Sequence, residues 1–193
     1  MHYEAVVIGV SAGGLAILSG ILKELPADFP LPLIIIQHRA KNERTLLEEV
    51  LQAKCMIRIR QADEKEKITG GVVYFAPSDY HLLIEKDRSF SLSCDEPVNF
   101  SRPSIDLLFE TAAEVYRNNL VGIILTGNGR DGAAGIRAIR ERGGFTIAQD
   151  PRNASFPAMP RAAIDTGSVQ AVLPPDGIRH FLLDVGKKRS SHV

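Results

Sequence analysis

Cysteine is scarce in this chain, with only Cys55 and Cys94 among its 193 residues. Two isolated thiols, with no cysteine or histidine nearby at ligand spacing, exclude a disulfide framework and a zinc site. Net charge is absent as well, because 23 Lys and Arg residues balance 23 Asp and Glu residues. The balance argues against a general nucleic-acid binder and against a polybasic membrane patch.

Long hydrophobic runs are also missing. The N-terminus lacks the basic start and apolar core of a signal peptide. The strongest apolar stretch, at residues 29–36, is interrupted by Pro30 and Pro32 and is too short to span a bilayer. A content of 45% hydrophobic residues excludes intrinsic disorder, and the length suits one domain. We therefore expect a single cytoplasmic domain over residues 1–193, with no metal or organic cofactor.

Apolar runs of strand length alternate with amphipathic stretches of helix length, which is typical of a parallel sheet covered by helices. Parallel strands are predicted at residues 5–8, 33–36, 121–125, 145–148 and 169–172. Helices are predicted at residues 15–25, 43–53, 103–117, 132–142, 159–165 and 178–185. Short strands at 72–75, 82–84 and 89–93, joined by tight turns, predict a hairpin excursion from this pattern. The core is expected at about 4–185, and residues 187–193 are expected to fray.

Three of the predicted strands end in reactive side chains. The first is followed by Gly-Val-Ser-Ala-Gly-Gly at residues 9–14, the second by Gln-His at 37–38, and the third by Thr-Gly-Asn-Gly-Arg-Asp-Gly at 126–132. Ligands of open parallel sheets bind beyond the carboxyl ends of the strands. A serine, a histidine and an aspartate at three strand ends are what a hydrolytic triad requires.

The segment around Ser11 fits the nucleophile-elbow pattern, with glycines two residues before and two residues after the serine. Such a turn is expected to hold Ser11 in a strained conformation with its hydroxyl exposed. Side chains at the flanking glycines would collide there. The N-terminal amides of the following helix would point towards the site, where they can stabilise an oxyanion.

A phosphate-binding turn is the alternative interpretation of this segment. Gly9, Ser11 and Gly14 occupy the places of the three glycines of a dinucleotide-binding fingerprint. However, a hydroxymethyl group stands at the middle position, where the backbone must approach a pyrophosphate. The acidic residue expected near the end of the second strand is also missing. The pattern therefore favours a hydrolase over a nucleotide-binding regulator.

Spacing alone leaves two alternatives open, one for the general base and one for the carboxylate that orients it. His81, at the start of a hairpin strand, competes with His38 as the general base. Asp150, directly after the fourth parallel strand, competes with Asp131, which could instead cap a helix. The chain order of serine, histidine and aspartate differs from that of α/β-hydrolases, so that fold is excluded.

Taken together, the motifs resemble the catalytic domain of the chemotaxis protein-glutamate methylesterases, the CheB family. They fall in the family's order and cover the chain from Ala5 to about Leu183. The matching segments are residues 9–14, 37–38, 76–77 (Ala-Pro) with His81, 102–106 (Arg-Pro-Ser-Ile-Asp), 126–135, 148–150 (Ala-Gln-Asp) and 159–163 (Met-Pro-Arg-Ala-Ala).

The resemblance implies a Rossmann-like, three-layer α/β fold with a doubly wound, mostly parallel sheet and a small antiparallel hairpin. It assigns the catalytic triad to Ser11, His38 and Asp131. Its weaker implication is an oxyanion or substrate-binding site at Ala12, Gly13, Asn128 and Gly129. The implied substrates are glutamate methyl esters on the cytoplasmic helices of chemoreceptors, and many members also deamidate receptor glutamines. The alternative within this fold is a non-catalytic docking module.

The sequence departs from the family in several places. Asn128 stands where methionine is common, Ala12 where threonine is frequent, and Leu15 where many members have proline. The first strand begins about four residues into the chain, which leaves no room for the receiver domain that usually precedes the esterase domain. We therefore expect either a stand-alone enzyme or the excised domain of a longer polypeptide.

A basic rim beside the triad is a further expectation. Arg39 and Arg130 adjoin His38 and Asp131 in the sequence, and the family motifs bring in Arg102 and Arg161. Such a rim would attract a substrate helix rich in free glutamates. The alternative is that each arginine is an ordinary surface residue paired with a carboxylate.

Overall fold

Apolar strands form the centre of a seven-stranded sheet in the computed structural model of this chain, which describes residues 2–38 and 46–190. The strands are β1 (Ala5–Val10), β2 (Leu33–Gln37), β3 (Arg58–Gln61), β4 (Val72–Phe75), β5 (His81–Ile84), β6 (Phe90–Ser93), β7 (Leu120–Ile124), β8 (Phe145–Gln149) and β9 (Ala171–Leu173). The α-helices are α1 (Gly14–Leu22), α2 (Leu47–Gln52), α3 (Ile105–Tyr116), α4 (Ala133–Glu141), α5 (Ala158–Asp165) and α6 (Pro175–Ser190).

The sheet is doubly wound around β1. Its strand order is β3-β4-β2-β1-β7-β8-β9, and every pair of neighbours is parallel. The chain forms β2, β3 and β4 on one side of β1, and later forms β7, β8 and β9 on the other side. The predicted α/β class is confirmed. β5 and β6 form a separate antiparallel pair in which Leu82 lies opposite Leu92.

Successive side chains of each central strand enter two different cores, because strand side chains alternate between the faces of the sheet. Val6 and Ile8 of β1 pack on the face covered by α1, α2 and α6. Ala5 and Val7 pack on the opposite face, under α3, α4, α5 and the hairpin. Both faces of the central strands are therefore buried, which explains why these strands are apolar at every position.

The structure corrects three predictions at the margins of the fold. β4 belongs to the parallel sheet, so the hairpin excursion comprises β5 and β6 alone. β3 was not predicted, because an edge strand with the sequence Arg-Ile-Arg-Gln carries too few apolar residues to be recognised. Residues 187–190, expected to fray, continue α6.

Part of the helix predicted at residues 43–53 lies outside the described residues; its remainder is α2. Among the helices of the described segments, none is both long enough and apolar enough to cross a bilayer.

Candidate active site

The sheet order places the three reactive strand ends side by side, since β1 lies between β2 and β7. The Ser11 N–H donates to the Thr126 carbonyl after β7 at 3.0 Å. On the other side, Gln37 Nε2 donates to the Ser11 carbonyl at 2.9 Å. These bonds fix the backbone of Ser11 at the point where the direction of winding reverses, which is where open α/β sheets bind ligands.

The glycines around Ser11 are required by close packing. A Cβ atom at Gly9 would lie 2.4 Å from Ile105 Cγ2, and one at Gly14 would lie 2.2 Å from Val10 Cγ2. Gly13 has φ of 74°, in the left-handed region that favours glycine. Ser11 is not among the residues with positive φ, so the strained serine predicted from the elbow pattern is wrong. Gly13 takes the left-handed conformation instead.

His38 and Asp131 are directly paired. Nε2 of His38 lies 2.9 Å from Oδ2 of Asp131, and the two side chains are 16% and 3% exposed. Ser11 and His38 line one groove of about 830 Å³ between α1 and α2, which we call the α1–α2 groove. No hydrogen bond joins the Ser11 hydroxyl to the His38 ring among the described contacts. Such a bond often tightens only when substrate binds.

The carboxylate of Asp131 is held by the N-terminus of α3. Its Oδ2 accepts the Ile105 N–H at 2.8 Å, and its Oδ1 accepts the Asp106 N–H at 3.0 Å and the Ser104 hydroxyl at 3.1 Å. Burial by itself would raise the pKa of Asp131. The hydrogen bonds from His38 and the two backbone amides outweigh burial and lower the pKa below its ordinary value. Asp131 is therefore a buried, ionised partner for His38.

Asp106, in the first turn of α3, is a second buried carboxyl group close to Asp131. It accepts the Gly135 N–H of α4 at 2.8 Å and the Asn99 side-chain amide at 2.8 Å. Burial, aided by the negative charge of Asp131, raises the pKa of Asp106 to about 6 despite the bond from Gly135. Asp106 thus links α3 to α4 through its hydrogen bond with Gly135, next to Asp131.

The structure separates the two rival residues from the His38 pair. His81 is fully buried; its Nδ1 accepts the Ser104 N–H at 3.1 Å and its Nε2 donates to the Glu96 carbonyl at 3.1 Å. Asp150 forms an ion pair with Arg152 at 2.6 Å, and this arginine lowers its pKa. Both ring nitrogens of His81 are already used. His81 thus holds Ser104, and the hydroxyl of Ser104 binds Asp131.

The four predicted oxyanion or substrate-binding residues fall into two groups. Ala12 and Gly13 line the α1–α2 groove beside Ser11, and within the described structure neither backbone N–H has a protein acceptor. Asn128 and Gly129 lie exposed on the loop after β7 and do not line that groove. The loop itself reaches the serine, because a Cβ at Gly127 would lie 2.8 Å from Ser11 Cβ.

The predicted basic rim is only partly available to a ligand. Arg102 donates through Nε and Nη2 to Asp79 at 3.0 and 2.7 Å, and through Nη1 to the Cys94 carbonyl. It is therefore a paired structural residue. Arg130 and Arg161 are exposed. Arg39 lies outside the described residues.

Cys55 is buried and Cys94 is exposed, and both are free thiols. Over residues 2–38 and 46–190, no group of three or more His, Cys, Asp or Glu residues is placed to hold a metal ion.

Two supporting elements were not predicted as part of the site. Gln37 was seen only as the neighbour of His38, yet its side-chain amide donates to the carbonyls of both Ser11 and His38. Ser104 and the amides that follow it form the cradle around Asp131. The available signal was the Pro-Ser pair at residues 103–104, at the start of the predicted helix, because a helix N-terminus is a ready anion-binding site.

Comparisons with known proteins identify the family of this chain. The family model described as CheB methylesterase matches residues 6–182. A relative from Leptospira interrogans is 50% identical over 95% of each chain, and it is provisionally named a protein-glutamate methylesterase/protein-glutamine glutaminase. A Carboxydothermus hydrogenoformans enzyme of that name is 41% identical over 91% of this chain, which spans only 53% of the relative's length. The crystal structure of the Thermotoga maritima CheB methylesterase catalytic domain superposes with a TM-score of 0.91 and 32% identity, covering 96% of this chain and all of that one. This chain belongs to the CheB methylesterase family.

Proposed function

We propose that this protein hydrolyses glutamate methyl esters on chemoreceptor-type proteins in the cytoplasm, with Ser11 as nucleophile. The observation that carries the proposal is the buried His38–Asp131 pair at 2.9 Å, next to a groove that Ser11 and His38 line together. The names of the relatives support both the ester substrate and a second substrate, the glutamine side-chain amide. Both reactions are acyl transfers from the same side-chain carbonyl, so one site serves them.

The pairing of His38 assigns a role to each ring nitrogen. The ionised Asp131 accepts the proton on Nε2, so the lone pair that receives the serine proton is on Nδ1. Ser11 Oγ attacks the ester carbonyl carbon while its proton passes to Nδ1. His38 then returns that proton to the departing methoxide. Methanol is released, and Ser11 remains as an acyl-serine. A water molecule, deprotonated in the same way, attacks the acyl-serine to release the glutamate and regenerate Ser11.

Charge on the carbonyl oxygen in the tetrahedral intermediate requires donors near Ser11. The amides of Ala12 and Gly13 precede α1, border the groove and are not used by other protein groups within the described structure. The positive end of the α1 dipole adds to them. Asn128 and Gly129 follow Gly127, which touches Ser11, and they complete the proposed set of donors.

The proposal is tested by methanol release from a peptide that carries one glutamate methyl ester. Wild-type protein should turn it over, and Ser11→Ala should lose turnover by a factor on the order of 10³ or more while remaining folded. Ser91→Ala, on the distant strand β6, is the matched control and should retain the wild-type rate. A fluorophosphonate should label Ser11 in the wild type and nothing in Ser11→Ala. A glutamine twin of the peptide, followed by ammonia release, tests deamidation.

If neither the wild type nor Ser11→Ala hydrolyses the ester, the proposal is overturned and a non-catalytic docking module is favoured. Stoichiometric labelling of another serine would move the active site elsewhere. Stabilisation by added nucleotide in a thermal-shift measurement would favour the nucleotide-binding alternative.

A further inference from the structure

The α1–α2 groove extends well beyond the reacting atoms. Ser11 and His38 lie at one end, and Lys23 and Lys54 also line it, at the C-terminal ends of α1 and α2. Its volume of about 830 Å³ is in the range of sites that bind a drug-sized ligand, which is more than one methyl-ester side chain fills. The ten residues 14–23 of α1 and its C-cap cover about 14 Å at the helical rise per residue.

The two helical walls of the groove carry exposed apolar side chains. Leu15 of α1 and Val50 of α2 are 45% and 43% exposed, respectively, although both are large aliphatic residues. Ala16 and Gly20 follow Leu15 on the same wall and leave room between the helices. Exposed apolar side chains that face a concave surface beside a reactive serine are a feature of protein-binding sites.

The far end of the groove is positively charged. Lys23 has one weak ion pair, with Glu24 at 3.8 Å, and both side chains are about half exposed. Lys54 is exposed in the turn after α2. None of the described residues that line the groove is an aspartate or a glutamate. A carboxylate entering from a ligand would therefore meet two cations, one of which also pairs weakly with Glu24 outside the groove lining.

We propose that Lys23 and Lys54 form a specificity site for a carboxylate of the substrate protein, two or more helical turns from the modified glutamate. The bound segment is an amphipathic helix whose apolar side chains rest on Leu15 and Val50. Residues at i, i+4 and i+7 of such a helix share one face, and seven residues advance about 10 Å, within reach of a lysine side chain. This inference rests on the proposed esterase function.

The test uses two helical peptides with one glutamate methyl ester each. They differ only in a residue two turns away, which is glutamate in one and glutamine in the other. For wild-type protein we expect kcat/KM to favour the glutamate peptide about tenfold, as two partly exposed ion pairs allow. In the double variant Lys23→Gln/Lys54→Gln that ratio should fall towards one. Lys86→Gln, in the hairpin turn on the opposite face of the sheet, is the control and should keep the wild-type ratio.

The preference should also shrink as salt is raised from 0.05 M to 1 M, since partly exposed charges are screened. In the charge-reversed variant Lys23→Glu/Lys54→Glu, a peptide with lysine at that position should become the better substrate. Hydrolysis of both peptides at equal rates by the wild type would overturn the lysine site and leave the esterase proposal standing. Hydrolysis of neither peptide would overturn both.

Discussion

Asp131 binds the N-terminus of α3, in which Asp106 lies, and Asp106 binds the first turn of α4, which begins two residues after Asp131. Asp131, two residues before α4, accepts the Ile105 and Asp106 amides at the start of α3, and Asp106 in α3 accepts the Gly135 amide of α4. The two helix N-termini therefore stabilise two neighbouring carboxyl groups. These hydrogen bonds fix the position of Asp131 relative to α3 and α4. Asp131 in turn orients the ring of His38.

Asp106→Asn should change how stability depends on pH. The pKa of Asp106 in the folded protein is about 6, above the ordinary value of 3.8, so between these values the folded state holds a proton that the unfolded chain has released. The wild type therefore loses stability as pH rises from about 4 to about 6, by an amount on the order of 3 kcal/mol, and levels off above. The variant lacks this change. Urea unfolding from pH 4 to 8 measures the difference, and parallel profiles for the two proteins would contradict the assignment.

Asp131→Asn should impair catalysis far more than folding. The one amide oxygen of an asparagine can still accept one of the two backbone N–H groups of α3, but the side chain no longer stabilises the protonated ring of His38. We expect kcat for ester hydrolysis to fall on the order of 10³-fold or more. Asp150→Asn removes a carboxylate that is paired with Arg152 and should leave kcat near the wild-type value. A larger loss in Asp150→Asn than in Asp131→Asn would reverse the two roles.

Replacement of the two buried-site histidines should give different defects. His38→Ala should abolish most turnover, because it removes the group proposed to accept the serine proton. His81→Ala should cost about 1–3 kcal/mol of stability, since the Ser104 N–H and the Glu96 carbonyl lose buried partners. Its kcat should fall much less. Paired activity and unfolding measurements decide this, and the opposite ranking of the two variants would be inconsistent with the geometry.

Gly9→Ala and Gly20→Ala should have opposite effects on stability. A methyl group at Gly9 would lie 2.4 Å from Ile105 Cγ2, whereas one at Gly20 in α1 meets nothing within 4 Å. We expect Gly9→Ala to cost about 1–3 kcal/mol through overpacking. Gly20→Ala should gain about 0.5–1 kcal/mol through the lower entropy of the unfolded chain. Thermal unfolding of both variants checks this, and a tolerated Gly9→Ala would mean that α3 shifts freely.

The apolar strands β1, β2 and β7 and the helices between them were predictable, because a strand buried on both faces must be apolar at every position. The polar edge strand β3 was not, since its order comes from pairing with β4 rather than from its own composition. The place of β4 in the parallel sheet was also missed. Sequence neighbours such as β4 and β5 look alike as short strands, and only the hydrogen-bond partners distinguish a sheet strand from a hairpin strand.

The candidate site also has features that the sequence predicts and features that it does not. The proposed triad of Ser11, His38 and Asp131 was predicted from glycine turns at strand ends and from the family resemblance. The choice of Nε2 as the nitrogen that faces Asp131, the clamp of Gln37 and the α3 cradle were not, because hydrogen-bond partners 25 to 93 residues apart leave no local pattern.

The sequence by itself determined the α/β class, the order of the central elements and the residue types at the strand ends, because these follow from local hydrophobic periodicity and turn chemistry. The tertiary structure alone decided which reactive groups meet. It paired His38 with Asp131, whereas His81 binds Ser104 and Asp150 binds Arg152. It also placed two lysines in the groove that Ser11 lines. Strand order and helix packing set those distances, and both arise from contacts between segments that are far apart in the chain.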